Sequence, residues 1–340
     1  MRAAFMILAG LVWSGAAGAA GAPDLATHPS PRTDEALVLP REDGGAAVDP
    51  AVAANFLGAV EAYRQRDFEV ARSLWEQLAD LGVGPAQHNL AVMYEHGRGG
   101  AIDLAKAAHW YRKAAEQEVP AALTNLARMH LAGRGVGREA AEALRLFEAA
   151  AQLDYAPAQY NLGIAYLEGR GVDADAEEAA EWFDAAAESG YGPAQYNLAA
   201  LYLRGDGVEA DAEEAMRLFA EAADGGDAMA HFALGALHYQ GQHVARDPKA
   251  AARHLHVAAD AGVVAAQMRL AVLYARGDGV PRDAETALMW LDIAAGLGDP
   301  SAVKNRDAYA ARQPPGVLAR AQRRARTFQP KPPRAATALQ

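Results

Sequence analysis

The sequence predicts an all-α fold, an α/α solenoid of about six 36-residue helix-loop-helix repeats that wind into a right-handed superhelix. Three features predict it: a leucine recurs every 36 residues, glycines follow it in a short loop, and paired alanines recur in the second half of each period. A fixed period of about 20–50 residues indicates tandem structural repeats. The chain is 51% hydrophobic but only 7% aromatic, which favours closely packed, alanine-rich helices.

The recurring positions keep their spacing along the chain. The leucines are Leu90, Leu126, Leu162, Leu198, Leu234 and Leu270. The first loop glycines are Gly97, Gly133, Gly169, Gly205, Gly241 and Gly277, and a second glycine follows two residues later in every repeat except at His243. The alanine pairs begin at Ala114, Ala150, Ala186, Ala222, Ala258 and Ala294. Such regularity predicts one tight loop and one close helix contact per repeat.

Each repeat divides into two helices. Ala86, Leu90 and Tyr94 are four residues apart and share one side of a first helix, helix A, which the loop glycines end by favouring positive φ. From Ala107 to Ala115 apolar residues follow the i, i+3, i+4, i+7 pattern of a second helix, helix B. An acidic residue predicts the N-cap of helix B in every repeat: Asp103, Glu139, Asp175, Asp211, Asp247 and Asp283. Two repeats read as capping boxes, with Glu178 after Asp175 and Glu214 after Asp211. The column Trp110, Leu146, Trp182, Leu218, His254 and Trp290 is expected to fill the space between repeats.

The sequence also predicts the order of segments along the chain. Residues 1–22 resemble a signal peptide, with an arginine, an apolar run and small residues before the cleavage site; an uncleaved anchor is the alternative, but the apolar run is short for a membrane span. Residues 23–50 form a flexible linker rich in Pro, Gly and Asp. The solenoid covers residues 51–300, with a degenerate capping unit at 51–83 and six repeats at 84–299. Residues 301–340 form basic capping helices and a tail.

Charge and cysteine content exclude several classes of protein. The chain has 340 residues, a formal charge of −11 and no cysteine, so disulfides and thiolate metal sites are excluded. Residues 301–340 carry nine Lys or Arg against one Asp, which leaves an acidic body with a basic end. An acidic body repels a phosphate backbone, so nucleic acid is not the expected partner. Beyond the signal segment no stretch is apolar enough to cross a membrane, so the mature protein is not expected to insert into one.

The best-formed repeat identifies a resemblance. The run Ala158 to Gly163, then Tyr166, Gly169 to Val172, Trp182-Phe183 and Ala185 to Ala187, resembles the Sel1-like repeat (SLR) family, a relative of tetratricopeptide repeats. The resemblance covers residues 51–300, and residues 305–328 look like the closing helices of exported bacterial members. It implies an α/α solenoid that acts as an adaptor, in many cases in the periplasm, and binds or restrains other proteins.

One pattern suggests a binding surface. Asparagines form a column on helix A beside the leucines, and aromatic residues occupy the column before it; the candidate partner-binding residues are Asn89, Asn125, Asn161, Asn197, Tyr160, Tyr196 and Phe232. Amides at regular intervals can hydrogen-bond an extended peptide backbone, while aromatic rings hold its side chains. We expect them to line a concave groove formed by helix A. The alternative is that each asparagine bonds the backbone of the neighbouring repeat.

No residues are predicted to be catalytic, cofactor-binding or metal-binding. His238, His243, His254 and His256 are close in sequence, but His238 and His254 occupy aromatic columns of the repeat, which favours packing roles over metal binding. The carboxylates of helix B, from Glu178 to Asp224, are expected to form a solvated outer face.

The sequence therefore predicts a non-enzymatic protein-interaction scaffold, adaptor or regulator, periplasmic or secreted, with partner proteins as its ligands. A cell-wall-directed hydrolase and a secreted virulence factor that binds host proteins are the alternatives.

Overall fold

The structure is a computed structural model that describes residue 37 and residues 49–331. The predicted signal peptide and nearly all of the predicted linker lie outside the described residues. The described chain contains sixteen α-helices and no strand, as the sequence predicted, and no helix in it is long and apolar enough to cross a membrane. It divides into two compact units, up to Tyr191 and from Gly192 onward, and the division falls between two repeats.

The N-terminal unit contains eight helices. They are α1 Pro50–Arg64, α2 Phe68–Asp80, α3 Gly84–His96, α4 Leu104–Ala115, α5 Pro120–Ala132, α6 Ala140–Ala151, α7 Ala156–Glu168 and α8 Ala176–Glu188. Odd-numbered helices are helix A of a repeat, and even-numbered helices are helix B. Each helix packs against the next along the chain, and α5 also contacts α7, which is the stacking expected of a helical solenoid.

The C-terminal unit continues the alternation with three further repeats. Its helices are α9 Gly192–Arg204, α10 Ala212–Asp224, α11 Ala228–Gln240, α12 Pro248–Asp260, α13 Val264–Arg276, α14 Ala284–Gly296, α15 Pro300–Ala310 and α16 Val317–Arg326. The last two helices both pack on α14. Arg320 Nε lies 2.7 Å from Glu285 Oε2, and the ring centres of Phe328 and Trp290 are 5.3 Å apart. The basic C-terminal segment thus covers the apolar side of the last repeat.

The two loop glycines have different reasons to be glycine. The first, such as Gly133 at φ +64°, ends helix A in the left-handed conformation. The second lies against the start of helix B in the preceding repeat: a Cβ on Gly135 would come within 2.6 Å of the Leu104 carbonyl carbon and closer still to its oxygen. One glycine therefore supplies a turn, and the other permits a close contact between repeats.

The alanine columns and most helix caps agree with the sequence predictions. The first alanine of each pair is fully buried in all six repeats, so backbones approach closely there. Asp103, Asp175, Asp211, Asp247 and Asp283 each accept a hydrogen bond from a backbone N–H in the first turn of helix B. Glu139 occupies the N-cap position of α6 but makes no such bond, because the longer side chain suits this geometry less well.

The predicted capping boxes were wrong in part. The capping boxes are half made: the backbone N–H of Asp175 donates to Tyr166 O, while the Glu178 carboxylate accepts from Trp182 Nε1 at 3.0 Å. In the predicted packing column Leu146, Leu218 and Trp290 are buried, while Trp110 and Trp182 are half-buried against the core. A further column of fully buried rings lies one residue later in the first five repeats, at Trp75, Tyr111, Phe147, Phe183 and Phe219.

Candidate functional site

The predicted binding asparagines lie mainly inside the solenoid. Asn89, Asn125 and Asn197 are buried, and only Asn161 is half-exposed. Asn125 Nδ2 donates to the Tyr111 hydroxyl at 3.3 Å, and that hydroxyl donates to Glu95 Oε2 at 3.0 Å. The Asn125 amide therefore joins two repeats, as the alternative reading of the sequence expected. Its partner is a side chain, however, and not the backbone that this alternative expected.

The half-exposed asparagine bonds within its own helix. Asn161 Nδ2 donates to Pro157 O at 2.6 Å. Phe147 holds the repeat position of Tyr111 and has no hydroxyl, so the bond that Asn125 makes has no counterpart here and the Asn161 amide bonds the preceding helical turn. Of the four asparagines, Asn161 alone is placed to meet a partner directly.

The predicted aromatic contacts are buried as well. Tyr160 packs on Phe183 with ring centres 5.8 Å apart, and Tyr196 packs on Phe219 at 5.4 Å. The face of Phe232 is covered by Arg269, whose guanidinium carbon lies 4.7 Å from the ring centre. These rings join helix A to helix B or to a neighbouring repeat, so their part in partner binding stays a prediction and has to be indirect.

The least buried side of helix A contains other residues, which we call the helix A stripe. On α7 the stripe consists of Pro157, Asn161, Ile164 and Glu168, all at least partly exposed. These positions are four, three and four residues apart and therefore share one side of the helix. The same positions on α13 are Ala265, Arg269, Val272 and Arg276. A few apolar side chains beside charged ones at the helix end are typical of a protein-binding surface.

Helix B presents an opposite kind of surface. The predicted solvated carboxylates Glu181, Asp184, Glu188, Glu221 and Asp224 are exposed, while Glu178 and Glu214 are partly covered. Glu214 is paired with Arg217, whose hydrogen bond and then charge lower the pKa of that carboxyl against the opposing effect of burial. Glu177, Glu178, Glu181, Asp184 and Glu188 give α8 five acidic residues and no basic one. The outer face of this helix is therefore strongly negative.

Three histidines of the C-terminal unit meet in space, although they come from two helices. His231 Nδ1 lies 3.0 Å from His254 Nδ1, so one nitrogen donates a proton and the other accepts it. The ring of His238 stacks on His254 with centres 5.9 Å apart. Burial, with the neighbouring imidazoles, lowers the pKa of His254 to about 4. Burial also lowers the pKa of His231, against the opposing effect of Asp227 and Asp224.

The other histidines of the predicted group lie apart from this cluster. His256 Nε2 lies 2.8 Å from the Tyr274 hydroxyl, and His243 is an exposed loop residue at φ +59°. Within residues 49–331, no group of three or more His, Asp or Glu side chains could hold a metal ion. Sequence reasoning missed His231 because it is 23 residues from His254 and occupies a different repeat column.

The fold and the recurring contacts define the class: this is an α/α-repeat solenoid protein. A family model for the Sel1 repeat matches residues 51–83, 84–119, 120–155, 156–191, 192–227, 228–263 and 264–299. The chain therefore belongs to the Sel1 repeat family, whose members generally serve as protein–protein interaction scaffolds. The first of the seven matches falls on the shortened unit that the sequence suggested was degenerate.

Solved structures and curated proteins include similar chains. A Sel1 repeat protein from Oxalobacter formigenes is 32% identical, with a TM-score of 0.64 and 74% of each chain covered. A protective antigen present in uropathogenic Escherichia coli strains, displaying an SLR fold, is 27% identical, with a TM-score of 0.49, 82% of this chain covered and 68% of the other. The DAP3-binding cell death enhancer 1 of Mus musculus is 36% identical over 80 residues, which are 22% of this chain and 16% of that protein.

Proposed function

We propose that this protein is a non-catalytic scaffold of the cell envelope that binds partner proteins along the helix A stripe. The observation that carries the proposal is how the repeats use their side chains. The recurring leucines, alanines and inner aromatic rings are almost all buried in packing. The stripe positions hold different side chains in different repeats, and on α7 and α13 all four are at least partly exposed, so each of these helices presents a surface of its own chemistry.

The two faces of the solenoid support the choice of surface. The stripe pairs aliphatic groups such as Ile164 and Val272 with charged groups such as Glu168 and Arg276. The helix B face of α8 is almost wholly acidic, and such a surface stays hydrated and repels other acidic proteins. The location in the cell envelope rests on the signal-like residues 1–22, which are outside the described residues.

Site-specific photo-crosslinking in the native cell tests the surface. A photoreactive residue is placed at Glu168 or Arg276 on the stripe, and at Asp184 or Asp224 on helix B as matched controls, one position of each kind per unit. All four positions are exposed, so the substitutions perturb folding little. We expect one or more defined protein adducts from the stripe positions. The control positions are expected to give none of these adducts.

A purified partner then distinguishes binding from proximity. Arg276→Glu is expected to weaken its affinity about tenfold, and Asp224→Lys to leave it within about twofold, since a charged contact at a binding surface contributes more than a remote one. Equal adducts from both faces, or an unchanged affinity for Arg276→Glu, would refute the stripe. Cell fractionation with N-terminal sequencing tests the location, with a mature start at Ala20 or Pro23 expected.

A further inference from the structure

Aromatic and basic side chains from two neighbouring repeats meet on the helix A surface of the C-terminal unit. Phe232 and Tyr239 are seven residues apart on α11, about two helical turns, and therefore share one side of that helix. Arg269 and Arg276 have the same spacing on α13. The Arg269 guanidinium carbon lies 4.7 Å from the centre of the Phe232 ring, and Arg276 Nη1 donates to the Tyr239 hydroxyl at 3.3 Å. The two pairs thus meet at the contact between the repeats.

A third arginine completes this surface, which we call the arginine–aromatic patch. Arg246, in the loop between α11 and α12, places its guanidinium carbon 5.5 Å from the centre of the Tyr239 ring. Its Nε donates to Tyr239 O at 3.2 Å, and its Nη2 pairs with Asp278 at 2.6 Å. The patch has three arginines against one carboxylate and is therefore net positive. It consists of Phe232, Tyr239, Arg246, Arg269, Arg276 and Asp278.

The charge of the patch is opposite to that of the chain as a whole. The chain has a net charge of −11. Helix α10, a helix B of the same unit, has four acidic residues and one arginine. An acidic partner is therefore repelled by the helix B surface and attracted to the patch, and this difference orients the partner as it approaches.

The three arginines differ in how far they are exposed. Arg246 and Arg276 are exposed, and Arg269 is partly exposed. Burial lowers the pKa of Arg269, while Tyr196 and Tyr239 act in the opposite direction. Because the effective dielectric constant falls with burial, a carboxylate beside Arg269 interacts more strongly than one beside Arg276.

The spacing of two arginines defines the spacing of the groups that they bind. Arg269 and Arg276 are about 10 Å apart along α13, at 1.5 Å per residue. In the extended polyproline II conformation, residues three apart share one side and are separated by about 9 Å. Val272 lies between the two arginines on the same side of α13 and is partly exposed, so it can contact the apolar atoms of a bound segment.

We propose that the arginine–aromatic patch binds an acidic, extended segment of a partner protein in which two carboxylates are three residues apart. One carboxylate pairs with Arg269 and the other with Arg276, since a guanidinium binds a carboxylate through two parallel hydrogen bonds. The patch shares these arginines with the helix A stripe of α13. The proposal therefore rests on the proposed function and names the chemistry of the partner.

Fluorescence anisotropy measures the binding of synthetic peptides to the intact chain. The acidic peptide has two glutamates three residues apart among proline and alanine, which favour the polyproline II conformation. Control peptides have glutamine or lysine at the same two positions. We expect the acidic peptide to bind at least tenfold more tightly than either control, and its affinity to fall as the salt concentration rises. A peptide with adjacent glutamates is expected to bind more weakly, because it cannot reach both arginines.

Substitutions on the two faces of the unit locate the binding. Arg276→Glu and Arg269→Gln are each expected to lower the affinity for the acidic peptide about tenfold. Arg253→Glu, an exposed change on α12 of the same unit, is the matched control and is expected to leave the affinity within about twofold. Arg269 covers the Phe232 ring, so circular dichroism checks the fold of its variant. Arg276 is exposed, and its variant decides the test if Arg269→Gln disturbs the fold.

Equal affinity for the acidic and the glutamine peptides would overturn the proposal. Unchanged binding of the acidic peptide by the Arg276→Glu variant would overturn it as well. Photo-crosslinking in the cell from exposed Ala265, which leaves the arginines in place, separates this proposal from the proposed function. Adducts from Ala265 without a preference for the acidic peptide would retain the stripe and refute the acidic ligand. Selective binding of the acidic peptide without adducts would support the patch and refute the stripe as the surface used in the cell.

Discussion

Two glycines with nearly identical backbones allow the contact between repeats to be measured separately from backbone strain. Gly135 has φ +72° and Gly190 has φ +73°. Alanine at either position lowers the free energy of unfolding by about 1–2 kcal/mol because of the left-handed conformation. A less flexible unfolded chain offsets about 0.4–1 kcal/mol of that loss. Both substitutions therefore lose about 1 kcal/mol from conformation alone.

Only Gly135→Ala adds a steric cost. Its Cβ would lie 2.6 Å from the Leu104 carbonyl carbon and 2.8 Å from the Leu104 Cβ, whereas a Cβ on Gly190 meets no atom within 4 Å. Because the Leu104 contacts include backbone atoms, the loop has to move by about 1 Å, and overpacking of this kind costs about 1–3 kcal/mol. We expect losses of about 2–4 kcal/mol for Gly135→Ala and about 1 kcal/mol for Gly190→Ala.

Urea unfolding of the two variants, followed by circular dichroism, measures the difference, and hydrogen exchange in α4 and α5 localises it. Exchange is expected to accelerate in these two helices for Gly135→Ala only. Equal unfolding midpoints for the two variants would refute the reasoning, since the close contact with Leu104 would then contribute nothing.

Two other predictions concern stability. Asp154 stands at φ +54° in the column that holds glycine at Gly190, so Asp154→Gly is expected to stabilise the chain by about 0.5–1 kcal/mol, seen as a higher urea midpoint; a lower midpoint would contradict it. Phe328→Ala is expected to lower the free energy of unfolding by about 1–2 kcal/mol and to speed hydrogen exchange in α16. Glu285→Ala is expected to do less, since a ring packed on Trp290 contributes more than an exposed ion pair. A larger effect of Glu285→Ala would show that the ion pair holds this helix.

The repeat period allowed most of the fold to be predicted. A column of leucines, a column of alanines and a pair of glycines each place one contact per repeat, and the buried Ala114 column and the left-handed Gly133 lie where the pattern put them. The N-caps followed because an aspartate before an apolar stripe has a local role that needs no knowledge of neighbours.

The exposed surface was harder to predict because it depends on how closely the helices approach. A period shows that Asn125 and Asn161 are equivalent, but Asn125 bonds the Tyr111 hydroxyl while Asn161, whose preceding repeat has Phe147 at that position, bonds Pro157 O. The contact between His231 and His254 was not predicted for a similar reason, because the two residues belong to different repeat columns and are 23 residues apart. Periodicity identifies the columns, while contacts between columns require the structure.

Because of this histidine pair, we expect acid to destabilise the C-terminal unit. The pKa of His254 falls to about 4 because of burial and because His231, His238 and Arg253 oppose a further positive charge, while Asp224 acts the other way. In the unfolded chain a histidine titrates near 6.5. Between about pH 6.5 and 4 the unfolded state therefore binds more protons, and the free energy of unfolding decreases as the pH falls through that window.

The matched substitution is His254→Leu, since leucine holds the same repeat position at Leu146 and Leu218. Because the imidazole is partly exposed, solvent screening reduces the effect to about 1–2 kcal/mol. Urea midpoints of the wild-type chain and the variant are compared at pH 7.5 and 5.0, with exposed His109→Leu as the control. The variant is expected to lose less stability on acidification than either of the other two chains. The same loss in all three would show that titration of the carboxylates, and not of His254, governs acid stability, because those groups are unchanged by the substitution.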